Sequence, residues 1–217
     1  MLTLSPGAGA SAPLRILCLG AHSDDIEIGC GGTVLRLLEE RPGSSVHWVV
    51  FSATPEREHE ARASAADFLS RAGRASVIVK SFRESFFPAA WSDIKACFEE
   101  VKRESTPDVV LCHHTRDLHQ DHRVIAELTW NTFRDHLVLE YEIPKYEGDL
   151  GHPNVFVPLG KAIADRKVEL LLKHFGSQAK RTWFRPETFY GLMSIRGVES
   201  NAPEGRAEAF HARKIIV

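Results

Sequence analysis

The tetrad His22-Ser23-Asp24-Asp25 contains an imidazole and two adjacent carboxylates, side chains that can bind a metal ion or transfer protons. It follows a short apolar run at 15–20 that predicts a buried strand. In open α/β sheets, chemistry is concentrated just beyond the carboxyl ends of the strands. Two carboxylates beside an imidazole are electrostatically costly unless a cation shares the site. The tetrad therefore predicts a divalent metal ion.

A second group of such side chains lies in the stretch 113–123, which holds four of the eleven histidines and follows another apolar run at 107–112. His119 and His122 are three residues apart, so they share one face in a helical turn. One of them can then bind a metal ion while the other faces a substrate. For His113 and His114, two interpretations stay open: supporting contacts around the site, or simple exposure.

The elements that must position these side chains alternate along the chain. Strands are predicted at 15–20, 46–51, 76–82 and 108–112, and helices at 34–41, 57–72, 92–103 and 123–135. Such alternation with short connections predicts an α/β, Rossmann-like fold with a mostly parallel sheet and helices on both faces.

The second half of the chain is less regular. Short extended pieces are predicted at 141–145 and 155–158, around glycine and proline residues, and an amphipathic helix at 162–174. We expect this C-terminal region to form a rim and lid over the sheet.

Composition agrees with one globular domain at 14–217, preceded by a flexible tail at 1–13. The chain has 217 residues, of which 43% are hydrophobic and 26% charged, enough to bury a full core. A formal net charge of −2 without a basic cluster argues against a nucleic-acid partner. The substrate is therefore expected to be a small molecule.

The cysteines indicate the compartment. Cys18, Cys30, Cys97 and Cys112 show no Cys-x-x-Cys spacing, which is typical of core residues in a reducing, cytoplasmic compartment. The tail lacks the basic and apolar regions of a signal peptide, and no apolar run is long enough for a transmembrane segment.

Two motifs resemble those of a known family. They are Ala21-His22-Ser23-Asp24-Asp25 with Gly-Cys-Gly-Gly-Thr at 29–33, and Asp117-x-His119-x-Asp121-His122-Arg123. In combination they resemble the zinc-dependent N-acetylglucosamine deacetylases called PIG-L-like or LmbE-like. Weaker similarity at Arg57-x-x-Glu60-Ala61, at 177–178 and at 207–210 extends the resemblance over roughly residues 15–212. Most relatives have Pro in place of Ser23, and many have Glu in place of Ile26.

The resemblance implies a hydrolase that removes the acetyl group from an N-acetylated amino sugar or its conjugate and releases acetate. It assigns one zinc ion per chain to His22, Asp25 and His122, a set that leaves open positions as a catalytic zinc site requires. The general base would be Asp24, although the residues alone leave open which of the two adjacent aspartates faces the metal. Relatives commonly assemble as homo-oligomers.

Two further roles follow from the resemblance. His119, oriented by Asp121, would stabilise the oxyanion or protonate the leaving amine. A carboxylate partner would raise the pKa of this histidine. Arg57 would hold a substrate hydroxyl or the product carboxylate.

Other interpretations remain open. The chain could hydrolyse another amide, such as a thiol-sugar conjugate or a peptide-like substrate. It could also be a non-catalytic dinucleotide-binding protein, although 29–32 is not Gly-x-Gly-x-x-Gly and Asp24 and Asp25 would lie where a pyrophosphate binds. We expect the glycines to permit close backbone approach and a tight entry into the helix. The structural alternatives are an Asx cap for the tetrad, a solvated helix face for Arg57 and Glu60, and packing for 207–210.

Overall fold

The computed structural model describes residues 12–216 and contains a seven-stranded sheet. Its strands are β1 Arg15–Gly20, β2 Ser45–Val50, β3 Arg74–Val79, β4 Val109–His113, β5 Leu137–Tyr141, β6 Val155–Pro158 and β7 Ala207–His211. The α-helices in this part of the chain are α1 Asp25–Glu40, α2 Pro55–Phe68, α3 Trp91–Glu104, α4 Gln120–Thr132, α5 Lys161–His174 and α6 Pro186–Ser200.

The strand order in the sheet is β3-β2-β1-β4-β5-β7-β6. Strands β1 to β5 pair in parallel, whereas β7 runs antiparallel to both β5 and β6. From β1 the chain moves outward through β2 to β3, then returns to β4 on the other side of β1. The carboxyl ends of β1 and β4 therefore define the switch point at which open α/β sheets bind their ligands.

Helices cover both faces of the sheet, so alternate residues of each central strand, which point to opposite faces, are all buried. In β1, Ile16 and Cys18 pack into the core beneath α1, α2, α5 and α6, while Leu17 and Leu19 pack into the core beneath α3 and α4. The predicted α/β class with a mostly parallel sheet is thus confirmed.

Helix α1 begins nine residues before its predicted start at 34, directly at Asp25. The glycines at 29–32 lie inside this helix and not in a turn at its entry. Their backbone does approach its surroundings closely: a Cβ added to Gly29 would overlap the ring of Tyr141, and one added to Gly31 would lie 2.7 Å from Phe68. Close packing therefore outweighs the weak helix propensity of glycine.

The prediction of a C-terminal rim and lid was partly wrong, because this region contributes β6, β7 and the last residue of β5 to the sheet. The extended piece expected at 141–145 is instead the end of β5 and the loop after it, whereas β6 occupies the predicted 155–158. Helix α6 and strand β7 were not predicted as elements.

Residues 1–11 of the predicted tail lie outside the described residues, and the single domain at 14–217 stays a prediction. Of the four cysteines, Cys18, Cys30 and Cys112 are buried, as expected for core residues, and Cys97 is half-buried. Between residues 12 and 216, no helix combines the length and the apolar character that crossing a bilayer requires.

Candidate active site

The two motifs meet at the switch point. Residues 21–24 connect β1 to α1, and residues 114–119 connect β4 to α4, so both groups lie at the same edge of the sheet. The side chains of Asp24, Asp25, His122 and Asp121 are all buried. The sequence prediction that the two stretches form one site agrees with this arrangement.

Three donor atoms form a nearly regular triangle. His22 Nδ1 lies 3.3 Å from Asp25 Oδ2 and 3.3 Å from His122 Nε2. The remaining edge, from Asp25 Oδ2 to His122 Nε2, is 3.5 Å. Donors bonded to a tetrahedral zinc ion at about 2.0–2.1 Å are about 3.3–3.4 Å apart. The triangle therefore fits three of the four positions around a tetrahedral zinc ion.

Each of the two imidazoles in the triangle has a carboxylate on its outer nitrogen. His22 Nε2 lies 3.1 Å from Asp121 Oδ2, and His122 Nδ1 lies 2.9 Å from Asp117 Oδ2. Such carboxylate partners fix the tautomer and the orientation of histidine ligands. The expectation that the Asp121 carboxylate orients His119 was wrong, since this carboxylate contacts His22.

His119 contacts Asp121 through the backbone instead. It is the N-cap of α4, and its Nδ1 accepts a hydrogen bond from the Asp121 amide at 3.2 Å. A neutral His119 ring therefore carries its proton on Nε2. Burial and the charge of His22 lower the pKa of His119, contrary to the expected rise. The centroid of the His119 ring lies 4.6 Å from that of His122. A neutral imidazole that can donate a hydrogen bond from Nε2 therefore borders the metal-ligand triangle.

Asp24 has a different partner from its neighbour. It is the N-cap residue of α1 but makes no side-chain cap, because its Oδ1 accepts a hydrogen bond from Arg57 Nη2 at 2.7 Å. Arg57 extends from α2 into the site and is not part of a solvated face. Burial raises the pKa of Asp24, although Arg57 opposes this effect. Glu60, the other charged residue of the Arg57-x-x-Glu60 motif, does not enter the site. It accepts hydrogen bonds from the amide and the hydroxyl of Ser177, which belongs to the similar stretch at 177–178.

His113 lies directly behind the triangle. It is fully buried at the end of β4, its ring stacks on that of His122 at 3.9 Å, and its Nε2 lies 3.2 Å from Asp25 Oδ2. The same Nε2 accepts a hydrogen bond from the Ala21 amide at 3.0 Å. His113 is thus a supporting contact and not an exposed residue.

Other donor sets overlap the triangle. Within the described residues, His22, His119 and His122 form one cluster that could hold a metal ion, and Asp25, His113 and His122 form another. In each cluster the ligand atoms lie within 4.8 Å of one another. Because the edges of the triangle match the ligand spacing of tetrahedral zinc, we take His22, Asp25 and His122 as the candidate ligands.

The electrostatics of the pocket favour a cation. Burial lowers the pKa of His22, but the charge of Asp25 and hydrogen bonds with Asp121 and Asp25 raise it to about 10. Burial and the charge of His113 lower the pKa of His122 to about 3. The carboxylates thus stabilise a positive charge at His22, either a proton or a metal ion in its place, while His122 is kept neutral, the form in which a histidine binds a metal.

Sequence analysis missed several supporting residues. The amides of Ser85 and Phe87 donate to Asp121 at 2.6 and 3.1 Å, and Ser85 has a left-handed φ of +67° that is uncommon for a non-glycine residue. Lys145 Nζ lies 2.9 Å from Asp117 Oδ2 and 2.6 Å from Asp149. Backbone donors leave no trace in residue types, and no spacing pattern connects a loop lysine to Asp117.

Comparison with known proteins identifies the family. A family model described as "PIG-L: GlcNAc-PI de-N-acetylase" matches residues 17–133, more than half of the 217 residues. The chain therefore belongs to the PIG-L family of deacetylases, which confirms the resemblance in its two motifs. A protein of Escherichia coli K12 named "Uncharacterized deacetylase YaiS" is 29% identical over 172 residues, which cover 73% of this chain and 89% of that protein.

Solved structures share the fold. The N,N'-diacetylchitobiose deacetylase of Pyrococcus horikoshii is 17% identical, with a TM-score of 0.69 over 91% of this chain and 83% of that one. GalB, the 4-carboxy-2-hydroxymuconate hydratase of Pseudomonas putida KT2440, is 20% identical, with a TM-score of 0.76 over 94% and 98%. Since a deacetylase and a hydratase both have this fold, the reaction must be argued from the site.

Proposed function

We propose that this protein is a zinc-dependent deacetylase that releases acetate from an N-acetylated amino sugar of the N-acetylglucosamine type or a conjugate of it. The observation that carries the proposal is the triangle of metal-ligand atoms from His22, Asp25 and His122. Asp24 lies beside this triangle but is hydrogen-bonded to Arg57. This arrangement provides three ligands and a separate carboxylate that is free to accept a proton. Membership of the PIG-L family supports the choice of reaction.

Bound zinc would lower the pKa of a water molecule and polarise the acyl carbonyl. Asp24 would accept the proton of the attacking water as general base. Its hydrogen bond to Arg57 holds the carboxylate in one orientation, and burial raises its pKa toward the range in which proton transfer is efficient. Asp25, bonded to the amide of His22 at 2.7 Å, is held on the ligand side.

His119 would donate a hydrogen bond from Nε2 to the developing oxyanion, and the leaving amine would receive the proton that Asp24 has taken from the water. Its Nδ1 is occupied by the Asp121 amide, so Nε2 is the nitrogen available to substrate. Asp121 would contribute indirectly, through this amide and through its carboxylate on His22. The guanidinium of Arg57 has five N–H donors, and one of them donates to Asp24. We propose that another holds a substrate hydroxyl.

The test is acetate release from a panel of N-acetylated sugars, measured with protein stripped of metal and with protein reloaded with zinc. The panel includes N-acetylglucosamine, chitooligosaccharides, and nucleotide-linked and lipid-linked sugars. Zinc-dependent acetate release from at least one of them is expected. If no sugar yields acetate and thiol-conjugate or peptide-like amides are hydrolysed, the alternative amidase function would replace this one.

Homo-oligomerisation and a cytoplasmic location stay predictions.

A further inference from the structure

Asp117 lies on the outer side of the candidate metal centre and has three donors. Its Oδ1 accepts from the His119 amide at 2.8 Å. Its Oδ2 accepts from His122 Nδ1 at 2.9 Å and from Lys145 Nζ at 2.9 Å. The carboxylate is buried, and although burial opposes this, the hydrogen bond to His122 and the nearby charges hold its pKa well below the usual range. Asp117 is thus an ionised group that connects a metal-ligand histidine to a lysine.

Lys145 belongs to the loop after β5, which the two motifs do not include. Its Nζ lies 2.6 Å from both carboxylate oxygens of Asp149, and Asp149 Oδ2 accepts from the Leu118 amide at 2.7 Å. The side chains of Lys145 and Asp149 are 11% and 8% exposed, so solvent screens this network only weakly. The ammonium therefore separates two carboxylates and fastens the β5 loop to the loop between β4 and α4.

We propose that Lys145 is a positioning residue of the metal centre: it holds Asp117 in the place from which Asp117 fixes the tautomer and orientation of His122. A carboxylate that is held on Nδ1 keeps the proton there and directs the Nε2 lone pair inward. Without the ammonium, Asp117 and Asp149 repel each other and the β5 loop loses one of its anchors. The inference rests on the proposed role of His122 as a ligand.

The experiment measures the zinc dissociation constant by competition with a chelator of known affinity, for wild type, Lys145→Met and Lys145→Arg. Loss of an outer partner of a metal ligand weakens metal affinity by about 10–100-fold. Since Lys145 acts through that partner, Asp117, we expect Lys145→Met to weaken zinc affinity by about tenfold, the lower end of this range. Lys145→Arg keeps the charge and the donors, so it should recover most of the affinity.

A matched control is Lys167→Met. Lys167 is also buried and paired, with Glu208 Oε1 at 2.6 Å, but it has no contact with the metal-ligand triangle. It should lower the melting temperature and leave zinc affinity near that of wild type. If Lys145→Met does not fold, Lys145→Gln, which keeps a donor without the charge, replaces it. Equal zinc affinity in wild type and a folded Lys145→Met or Lys145→Gln overturns the inference. A wild type that binds no zinc instead refutes the metal assignment.

Discussion

At the scale of single residues, Asp24 and Asp25 are neighbours in sequence with carboxylates in different environments. Asp25 faces His22, His113 and His122, which hold its pKa well below the usual range although burial opposes them. Asp24 faces Arg57. Asp24→Asn should therefore retain zinc while kcat drops by roughly 10²–10⁴, the range for loss of a general base. Asp25→Asn should lose zinc. Elemental analysis and steady-state kinetics check both variants, and the opposite pattern would reverse the two roles.

His119 is the second residue whose role can be isolated. Its ring borders the ligand triangle, but its Nδ1 is already occupied by the amide of Asp121. His119→Ala should therefore lower kcat by about 10²-fold or more, the cost of removing one oxyanion donor, with zinc content unchanged. His122→Ala provides the comparison, because it should lose both zinc and activity. Wild-type kcat in His119→Ala would exclude a role in the transition state.

At the scale of elements, helix α1 depends on its glycines to approach the sheet. The ring of Tyr141 fills the space beside Gly29, and its hydroxyl donates to the Leu19 carbonyl at 2.8 Å, which limits how far the ring can move. Gly29→Ala should destabilise the fold by about 1–3 kcal/mol through overpacking. Gly191→Ala on α6, where an added Cβ has nothing within 4 Å, should stabilise it by about 0.5–1 kcal/mol. Urea unfolding measures both, and equal effects at the two positions would contradict this packing argument.

Elements differ in how well the sequence predicts them. Strands β1 and β4 are buried on both faces, so they form continuous apolar runs that are visible in the sequence. Helix α6 contains Gly191 and exposes Ile195 and Val198, which obscures its amphipathic period. Strand β7 buries a charged residue, Glu208, which is satisfied by the amides of 32 and 33 and by Lys167. Such compensation is tertiary and cannot be read from a local pattern.

The same distinction applies to the candidate site. The motif residues were predictable because their types and spacing are local to two short stretches. The partner of Asp121 was not, because the choice between His22 and His119 depends on how α4 packs against the loop after β1. Lys145 and Asp149 could not be found either, since their loop carries no periodic pattern and its position is set by contacts with Asp117 and Leu118.

At the scale of the whole molecule, a stacked pair of histidines couples the stability of the fold to pH. At the end of β7, the ring of His211 stacks on that of His114 at 3.8 Å, and His114 Nδ1 lies 2.5 Å from Glu140. Burial and the charge of His114 lower the pKa of His211 to about 4, against the effect of Glu140. This pair joins β5, β7 and the loop after β4, so its protonation bears on the stability of the fold.

The unfolded chain binds a proton at this histidine near pH 6.5, whereas the folded protein does so only near pH 4. The free energy of unfolding should therefore fall as the pH drops from about 6.5 to 4. Because the ring is half-exposed and solvent screens part of the repulsion, we expect a loss of about 1–2 kcal/mol. In His211→Gln this part of the pH dependence should disappear. Urea unfolding at pH 7 and pH 4.5, with a chelator present, measures the effect. The exposed His152→Gln should keep the wild-type dependence, and a His211→Gln curve parallel to both would show that this histidine does not contribute.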